Sequence, residues 1–410
     1  MDFYKDRDKY INTITHLSLM LMGIGVGTKT GAFTLVGALF ALIVFFMDKK
    51  NRFANIKSIP FTGTIVFFTS YVLVVYLECL YGENVTGQKL VLRNFEKIIT
   101  FFVIYFFIGN SNRSLLYTSL GLMIGLMINT GVVCMQANDI MYEFASSKRY
   151  GGFFGNPNSL GSVLELQIPV FIYMCYYYRK SKTLFVVFTL TSLCAFWNLY
   201  MTGSRGACMA VISEIIVMSG ILLYRKLQSK NAVFYVLGAF MLCLAVVLGT
   251  ALVFNRGYDS ERLLLWGSAW KMFLDYPLFG VGFNNWEDFY PTLYISYLAT
   301  EPHLTTPHNL YLFIMAETGL AGMISYFSII VWQVKESIKY SSLEVNICSE
   351  NLTIGDMFIA LTIGILIHNL VDVSALSRYY ILMQFLIWGV CCLHFTRVDK
   401  KKDEITTVVI

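Results

Sequence analysis

The stretch Thr183-Leu-Phe-Val-Val-Phe-Thr-Leu-Thr-Ser-Leu-Cys-Ala-Phe-Trp-Asn-Leu-Tyr-Met201 contains no charged side chain. A run of this length and polarity is typical of a helix that crosses a bilayer. Similar runs recur along the chain, in which 56% of the 410 residues are hydrophobic and 14% are charged, with a mean hydropathy of +0.61. Membrane β-strands would alternate apolar and polar residues instead. The sequence therefore predicts an all-α, polytopic membrane protein.

We predict about twelve transmembrane helices in a single integral membrane domain, residues 1–410, without a linker or an internal repeat. The first span lacks a small-residue cleavage site, so we expect it to be retained as a helix. The predicted spans are residues 11–27, 31–47, 61–81, 98–110, 115–135, 162–178, 183–201, 207–224, 232–254, 310–334, 356–373 and 378–395.

The basic residues predict the orientation of these spans. With a cytoplasmic amino terminus, 20 of the 31 Lys and Arg residues fall in cytoplasmic segments. The positive-inside rule then places both termini in the cytoplasm and makes residues 255–309 one large extracytoplasmic loop. The net charge of +5 lies mostly on segments that face anionic lipid, so it does not predict nucleic-acid binding.

The sequence contains little evidence for a metal site, a disulfide framework or a nucleotide-binding site. Of the nine cysteines, all but Cys348 lie in predicted spans, and their spacing fits neither disulfides nor metal ligands. The carboxylates of residues 255–309 contain no Asp-x-Asp pair, and no strand precedes Gly280-Val281-Gly282. We therefore predict chemistry without a bound metal or cofactor.

Three polar clusters are predicted on the extracytoplasmic face. They are residues 136–161, which end in Arg149-Tyr150-Gly151-Gly152-Phe153-Phe154-Gly155-Asn156-Pro157-Asn158; the turn Thr202-Gly203-Ser204-Arg205-Gly206; and the long loop 255–309. Within the loop, residues 261–276 place Leu263, Trp266, Trp270, Phe273 and Leu274 near helical spacing. Pro277 and the following glycines then end the pattern. This predicts an amphipathic helix at the bilayer surface, suited to wall a cavity.

Two arginines are candidates for binding a diphosphate, because a guanidinium stays charged and donates through a planar fork. Arg205 lies in a turn of small residues at a helix start, where backbone amides favour an anion. The alternative is an arginine that snorkels to lipid phosphate. For Arg262 the alternative is a solvated charge on an interfacial helix, whose neighbour Glu261 pairs with Lys271 or Arg256.

His308 is the candidate general base. It lies between Pro307 and Asn309 at the start of a hydrophobic span, where nearby helix amides favour neutral imidazole. The alternative is a residue that caps the helix. His303 is a weaker candidate, His368 is expected to be buried in its span with Asn369, and His16 and His394 are interpreted as structural.

Taken in order, these motifs resemble the bacterial O-antigen ligase and polysaccharide polymerase family. The resemblance covers residues 149–319 and rests on motifs that are short and permissive when taken singly. They are Arg149 with Gly151-Gly152-Phe153-Phe154-Gly155-Asn156-Pro157-Asn158; Thr202-Gly203-Ser204-Arg205-Gly206-Ala207; Arg262 with Leu265-Trp266 and Pro277-Leu278-Phe279-Gly280-Val281-Gly282; and Pro307-His308-Asn309-Leu310-Tyr311-Leu312 with Glu317-Thr318-Gly319.

The resemblance implies a GT-C-like fold and an inverting, metal-independent glycosyltransferase in the bacterial cytoplasmic (inner) membrane. Its donor would be an undecaprenyl diphosphate-linked glycan, used at the outer face. Arg205 and Arg262 would bind the diphosphate, and His308 would take the proton of the acceptor hydroxyl. Arg149, Asn158, Ser204 and Asn309 would contribute to substrate binding.

The acceptor is left open by the resemblance. A polymerase joins lipid-linked repeat units, for example of O-antigen or another surface polysaccharide, whereas a ligase moves the glycan onto the lipid A core of lipopolysaccharide. We favour a polymerase because no part of the loop resembles a site for a phosphorylated core. Expected partners are the glycan donor, a glycan or lipid acceptor, the bilayer and other polysaccharide assembly proteins.

A transporter or flippase for lipid-linked glycans is the alternative from another class. Twelve spans, with Glu165 and His368 inside them, would also suit such a protein. Transporters commonly show two related halves and interrupted helices, and the sequence shows neither.

Overall fold

The structure, a computed structural model, describes residues 2–48, 113–140, 148–227, 257–374 and 377–409, with the isolated residues 73, 75, 77 and 238. Within these ranges all of the regular secondary structure is helical. Its α-helices are α1 (Asp2–Gly27), α2 (Gly31–Met47), α3 (Ser114–Ala137), α4 (Pro157–Tyr177), α5 (Lys182–Thr202), α6 (Arg205–Leu227), α7 (Gly257–Asp275), α8 (Trp286–Phe289), α9 (Leu310–Cys348), α10 (Ile354–His368) and α11 (Arg378–Val409). A 3-10 helix spans Gly152–Phe154, and a π-helical turn spans Tyr290–Tyr294.

Six of the described helices are long and apolar enough to cross a membrane, namely α3, α4, α5, α6, α9 and α11, and α2 and α10 are shorter apolar helices. These confirm the prediction of a polytopic, all-α membrane protein. The predicted spans 61–81, 98–110 and 232–254 lie outside the described residues, so the count of twelve stays a prediction.

Several helices extend beyond the predicted apolar spans. The predicted span 310–334 is the first part of the 39-residue helix α9, and 378–395 is the first part of the 32-residue helix α11. Both continue through polar residues, because helix propensity persists where hydropathy falls. By contrast, the predicted span 356–373 extends past the end of its helix. Helix α10 ends at His368, and Asn369 is its C-cap.

Helix α4 is the centre of the bundle and packs against α5, α6, α10 and α11. Its residues are buried from Leu160 through Val170, which includes the charged side chain of Glu165. A helix that is enclosed on all sides is usually apolar along its whole length. A carboxylate within it requires a hydrogen-bond partner. That partner comes from α10 and is part of the site described below.

The two ends of the bundle carry different polar contacts. At one end, Arg225 of α6 binds Asp356 of α10 with Nη2 2.8 Å from Oδ1, and Arg179 lies 3.0 Å from Glu350. At the opposite end, Lys29 donates to the carbonyl of Phe154 at 3.3 Å, and the three predicted polar clusters meet. The prediction that these clusters share one side is confirmed.

Helix α9 is broken at Gly319, whose φ of 58° and ψ of −155° are not helical. The backbone of residues 277–282 fills the break. Val281 N and Gly282 N donate to the carbonyls of Ala316 and Glu317 at 2.9 and 3.0 Å. In return, Leu320 N and Ala321 N donate to the carbonyls of Pro277 and Leu278 at 2.9 and 3.1 Å. The segment that follows α7 is thus fixed to a membrane-length helix by backbone hydrogen bonds.

Glycines permit this contact. Gly280 has a φ of +67°, and a Cβ placed there would lie 2.3 Å from the carbonyl carbon of Glu317. A Cβ on Gly319 would lie 2.5 Å from the carbonyl carbon of Leu278. Neither position accepts a side chain without backbone movement. The predicted turn after residue 276 is therefore confirmed, and its tertiary role is to pair with the broken helix.

Candidate functional site

One cavity of about 270 Å³ brings together residues from all three polar clusters. It lies between the starts of α4, α6 and α7, the segment before α9 and the end of α10. Of the predicted site residues, six line it: Arg149, Asn158, Ser204, Arg205, Arg262 and His308. Gly203, Gly206, Glu261, Leu265, Glu301, Leu304, His368, Val371 and Asp372 complete its wall.

Arg205 is placed in the cavity by a tight helix-to-helix turn. Helix α5 ends at Thr202, Gly203 follows in the left-handed region with φ +57°, and Arg205 is the first residue of α6. The Thr202 hydroxyl accepts from Ser204 N at 3.1 Å, which fixes the turn. The arginine side chain is exposed at the amino terminus of α6, where the helix dipole also favours an anion.

Arg149 connects the first polar cluster, residues 136–161, to this turn through hydrogen bonds. Its Nε donates to the carbonyl of Thr202 at 2.8 Å, and its Nη2 donates to Asn158 Oδ1 at 2.6 Å. The side chain also covers Gly203, since a Cβ there would lie 3.3 Å from Arg149 Nε. Arg149 and Asn158 therefore form one wall of the cavity, and Arg149 connects the start of α4 to the turn between α5 and α6.

Two polar residues of α3 support that wall and were missed by the sequence analysis. Asn129 accepts from Phe153 N at 2.9 Å through Oδ1, and Gln136 accepts from Gly152 N at 2.9 Å through Oε1. Both side chains are buried. An Asn and a Gln seven residues apart on one helix face, preceding a glycine-rich loop, were the available signal.

Helix α7 supplies the opposite wall with Arg262 and Leu265 and confirms the predicted helix 261–276 to within a few residues. Its buried face differs from the predicted apolar set. Leu265, Ala269 and Met272 are fully buried, whereas Leu263, Trp270 and Leu274 are 63%, 46% and 57% exposed. Three of the five predicted apolar residues therefore point away from the protein, whereas Trp266 and Phe273 are partly buried.

Glu261 binds a neighbouring loop and does not pair with Lys271 as suggested from sequence; Arg256 lies outside the described residues. Glu261 Oε1 accepts hydrogen bonds from Thr300 N and Glu301 N at 3.0 and 3.1 Å. Burial would raise the pKa of this carboxyl, but the hydrogen bonds from Glu301 and Thr300 lower it overall. The carboxylate thus fixes the loop that carries Glu301 to the cavity.

Two tryptophans fix residues 304–307, immediately before His308. Trp266 Nε1 donates to the carbonyl of Pro307 at 3.0 Å, and Trp286 Nε1 donates to the carbonyl of Leu304 at 3.0 Å. His308 itself has a φ of +51°, which is unusual for a residue with a side chain. Held in this conformation, its ring reaches the cavity.

Asp372 is the partner of His308 and was not identified from sequence. Its Oδ1 lies 3.5 Å from His308 Nδ1 and accepts from Val373 N at 2.8 Å. Burial would raise the pKa of Asp372, but the hydrogen bond with His308 and the charge of His368 lower it overall. An ionised Asp372 orients Nδ1–H of His308 toward itself and leaves Nε2 as the basic nitrogen.

Asn309 caps helix α9. Its Oδ1 accepts from Leu312 N at 3.1 Å, and its Nδ2 donates to the carbonyl of Leu370 at 3.0 Å. Leu310 N also donates to the carbonyl of Asn369 at 2.9 Å. The N-cap is therefore Asn309, and not His308, and it ties the start of α9 to the loop that carries Asp372.

His368 lies at the floor of the cavity and belongs to a buried polar chain. Its Nδ1 is hydrogen-bonded to Glu165 of α4, and Glu165 Oε1 accepts from the hydroxyl of Tyr380 at 2.7 Å. Its Nε2 lies 4.0 Å from Asp372 Oδ2. The expected burial of His368 is confirmed, but the sequence did not indicate its partner or its contact with the cavity.

The other histidines lie elsewhere. His303 is exposed and does not line the cavity. His16 stacks on Tyr117 with ring centroids 3.9 Å apart, and His394 Nε2 lies 2.5 Å from Glu344 Oε1. Both contacts agree with the structural roles expected for these two residues.

Comparisons with known proteins agree with the motif resemblance. Residues 190–327 match the family described as O-Antigen ligase, and they include Arg205, Arg262, His308 and the break in α9. The teichuronic acid biosynthesis protein TuaE of Bacillus subtilis (strain 168) is 22% identical over 366 residues, which cover 82% of this chain and 73% of that protein. The motif resemblance is thereby confirmed: residues 190–327 of this polytopic membrane protein are similar to the O-antigen ligase family, and most of the chain is similar to TuaE.

Proposed function

We propose that this protein is a glycosyltransferase that uses an undecaprenyl diphosphate-linked glycan as donor at the outer face of the cytoplasmic membrane. The observation that carries the proposal is the convergence of Arg205, Arg262 and His308 on one cavity from three separate segments of the chain. Transfer of a glycan from a diphosphate requires cations to stabilise the leaving group and a base to accept the proton of the acceptor, and both are present at this cavity.

Arg205 and Arg262 bind the diphosphate in this proposal. Negative charge builds on the leaving group as the bond to the anomeric carbon breaks, so fixed guanidinium groups stabilise the transition state most. The amides at the start of α6 add a further positive field beside Arg205. Of the cavity carboxylates, Glu261 is engaged with residues 300–301 and Asp372 with His308, which limits their repulsion of the donor.

His308 acts as the general base. The acceptor hydroxyl oxygen attacks the anomeric carbon, and its proton passes to His308 Nε2. The bond between the anomeric carbon and the diphosphate oxygen breaks, and its electron pair leaves with undecaprenyl diphosphate. A single displacement of this kind inverts the anomeric configuration. The ionised Asp372 stabilises the imidazolium that forms, as carboxylate partners of catalytic histidines do.

The reaction needs neither a metal nor a nucleotide in this proposal, because the lipid diphosphate already supplies the free energy and the arginines supply the positive charge. We favour a polymerase that extends lipid-linked repeat units. The name of the relative refers to teichuronic acid biosynthesis. Ligation to lipid A core is the alternative within the same chemistry, and the description of the matched family favours it.

The decisive experiment is an assay in proteoliposomes with undecaprenyl diphosphate-linked repeat units and EDTA in place of added metal. The wild type is compared with His308→Ala and with the control His303→Ala, since His303 is exposed outside the cavity. We expect a ladder of longer lipid-linked glycans from the wild type and the control, and none from His308→Ala.

Other outcomes would change the assignment. Product that forms only when lipid A core is added would identify a ligase. Substrate that crosses the vesicle membrane without any new glycosidic bond would identify a transporter. A ladder that requires added metal would contradict metal independence, and a fully active His308→Ala protein would remove the proposed base.

A further inference from the structure

The segment 277–282 joins α7 to α8, and its surface differs from that of an ordinary aqueous loop. Leu278 and Phe279 are 62% and 60% exposed, although the backbone of the segment forms four hydrogen bonds with α9. Large apolar side chains exposed side by side indicate a surface that contacts something apolar. The surroundings of α9, to which the segment is hydrogen-bonded, indicate what this apolar surface contacts.

Helix α9 changes its surroundings at Gly319. On the amino-terminal side, Phe313, Ile314 and Ala316 are buried in the protein. On the carboxyl-terminal side, an outward stripe of apolar side chains begins. The stripe is formed by Leu320, Ile324, Phe327, Val331 and Ile338, which are 42%, 65%, 38%, 66% and 52% exposed.

The length of this stripe matches a bilayer. From Leu320 a helix rises about 23 Å to Lys335, the first exposed cation on this face, and about 27 Å to Ile338, compared with the ~30 Å thickness of a hydrocarbon core. Lys335 and Lys339, near its far end, lie over the rings of Trp332 and Tyr340 with 5.1 and 4.7 Å to the ring centroids. Aromatic and cationic residues of this kind are enriched at membrane interfaces. The hydrocarbon boundary on the cavity side therefore falls near Leu320.

The segment 277–282 lies at that boundary, because Leu320 N is bonded to the carbonyl of Pro277 and Ala321 N to the carbonyl of Leu278. Irregular backbone is tolerated at membrane depth only where protein satisfies its hydrogen bonds, and the break in α9 supplies the partners. Helix α7, which exposes Leu263, Trp270 and Leu274, ends just before this segment and packs against α9.

We propose that residues 277–282 form a re-entrant element of the membrane, in which Leu278 and Phe279 contact phospholipid acyl chains of the leaflet on the cavity side. The predicted extracytoplasmic loop is then divided by a membrane-inserted turn, and α7 lies in the interface with its outward face toward lipid. The proposal depends on membrane integration alone and not on glycosyl transfer.

The test is photo-crosslinking of the full chain in phospholipid vesicles. A benzophenone amino acid replaces Phe279 in one protein and His303 in the control, since His303 is exposed but precedes the buried start of α9. After illumination, peptides are searched by mass spectrometry for adducts with acyl chains. We expect phospholipid adducts at position 279 and at most one-tenth as many at position 303.

A second measurement separates lipid contact from a protein contact. Vesicles made with lipids brominated near the carbonyl end of the acyl chain should quench an environment-sensitive probe at position 279 more than vesicles brominated near the chain end. Crosslinks at position 279 to a second copy of the chain or to another protein, without lipid adducts, would overturn the proposal. So would equal lipid adduct yields at positions 279 and 303.

Discussion

Asp372 Oδ1 lies 3.5 Å from Nδ1 of His308, and the two side chains line the same cavity from separate segments of the chain. Neither residue is fully buried, with 19% and 30% of their side chains exposed. The contact joins the segment before α9 to the loop after α10. In the proposed reaction, this contact orients His308 as the general base.

Replacing Asp372 by Asn should therefore lower kcat by about 10²-fold, because the amide no longer stabilises the imidazolium. The chain folds with little change, since the substitution is isosteric. The measurement is the rate of glycan extension at saturating donor, with Asp275→Asn as a control because Asp275 binds Tyr294, at 2.7 Å, away from the cavity. Unchanged kcat in Asp372→Asn would show that His308 works without this partner.

Arg205→Lys should reduce kcat/KM by about 10²-fold, because lysine keeps the charge but loses the planar pair of donors. A matched control is Arg179→Lys, at the other end of the bundle, where the arginine pairs with Glu350. Steady-state rates across donor concentrations provide the measurement. Full activity of Arg205→Lys would contradict bidentate binding of the diphosphate by this residue.

Trp266→Phe should slow the reaction about fivefold, because it removes the indole hydrogen bond, worth about 1 kcal/mol, that fixes Pro307 beside His308. The control is Trp270→Phe on the same helix, whose ring is 46% exposed and points away from the cavity. Rates and thermal stability are measured for both proteins. The interpretation fails if the two substitutions have equal effects on rate.

Glu165→Gln should lower the free energy of unfolding by about 3 kcal/mol, because His368 and Tyr380 are hydrogen-bonded to this buried carboxylate. For comparison, Glu350→Gln removes a pair with Arg179 in which both side chains are about a third exposed, and it should cost less than about 0.5 kcal/mol. Unfolding is followed in one detergent at one protein concentration. Similar stability of the two variants would mean that the polar chain does not stabilise the bundle.

Acid should release residues 300–301 from Glu261. The folded-state pKa of Glu261 lies below its unfolded value, so its contribution to stability is fully present above the unfolded pKa, near 4.5. That contribution falls as the pH drops through the folded-state pKa. Hydrogen exchange at the amides of Thr300 and Glu301, corrected for intrinsic rates, should be protected at pH 7 and should lose protection below pH ~4.5. Glu261→Gln should remove the pH dependence, and a pH-independent protection in the wild type would contradict this origin.

Much of the fold could be predicted from local patterns. Apolar runs such as residues 183–201 specify membrane helices because burial in lipid depends on the composition of one continuous segment. The polar turns with Arg149, Arg205 and Arg262 could be placed on one side of the membrane for the same reason, since alternation of spans fixes which loops share a face. The grouping of these residues in one cavity was a consequence that the sequence already suggested.

Partners distant in sequence could not be predicted. Glu165 and His368 are 203 residues apart, and His308 and Asp372 are 64 apart, so no local period relates them. The outward direction of Leu263 and Trp270 was likewise decided by packing, because amphipathic spacing does not say which face a protein covers. The break at Gly319 needed residues 277–282 as its hydrogen-bond partner.

The sequence by itself determined an all-helical membrane protein and the chemical types available at one of its faces, because hydropathy and charge act on single segments. Only the tertiary structure decided which carboxylate lies beside His308, which helix is interrupted and which segment pairs with the interruption. These features depend on hydrogen bonds and close packing between segments far apart in the chain, and such contacts exist only after the helices have assembled.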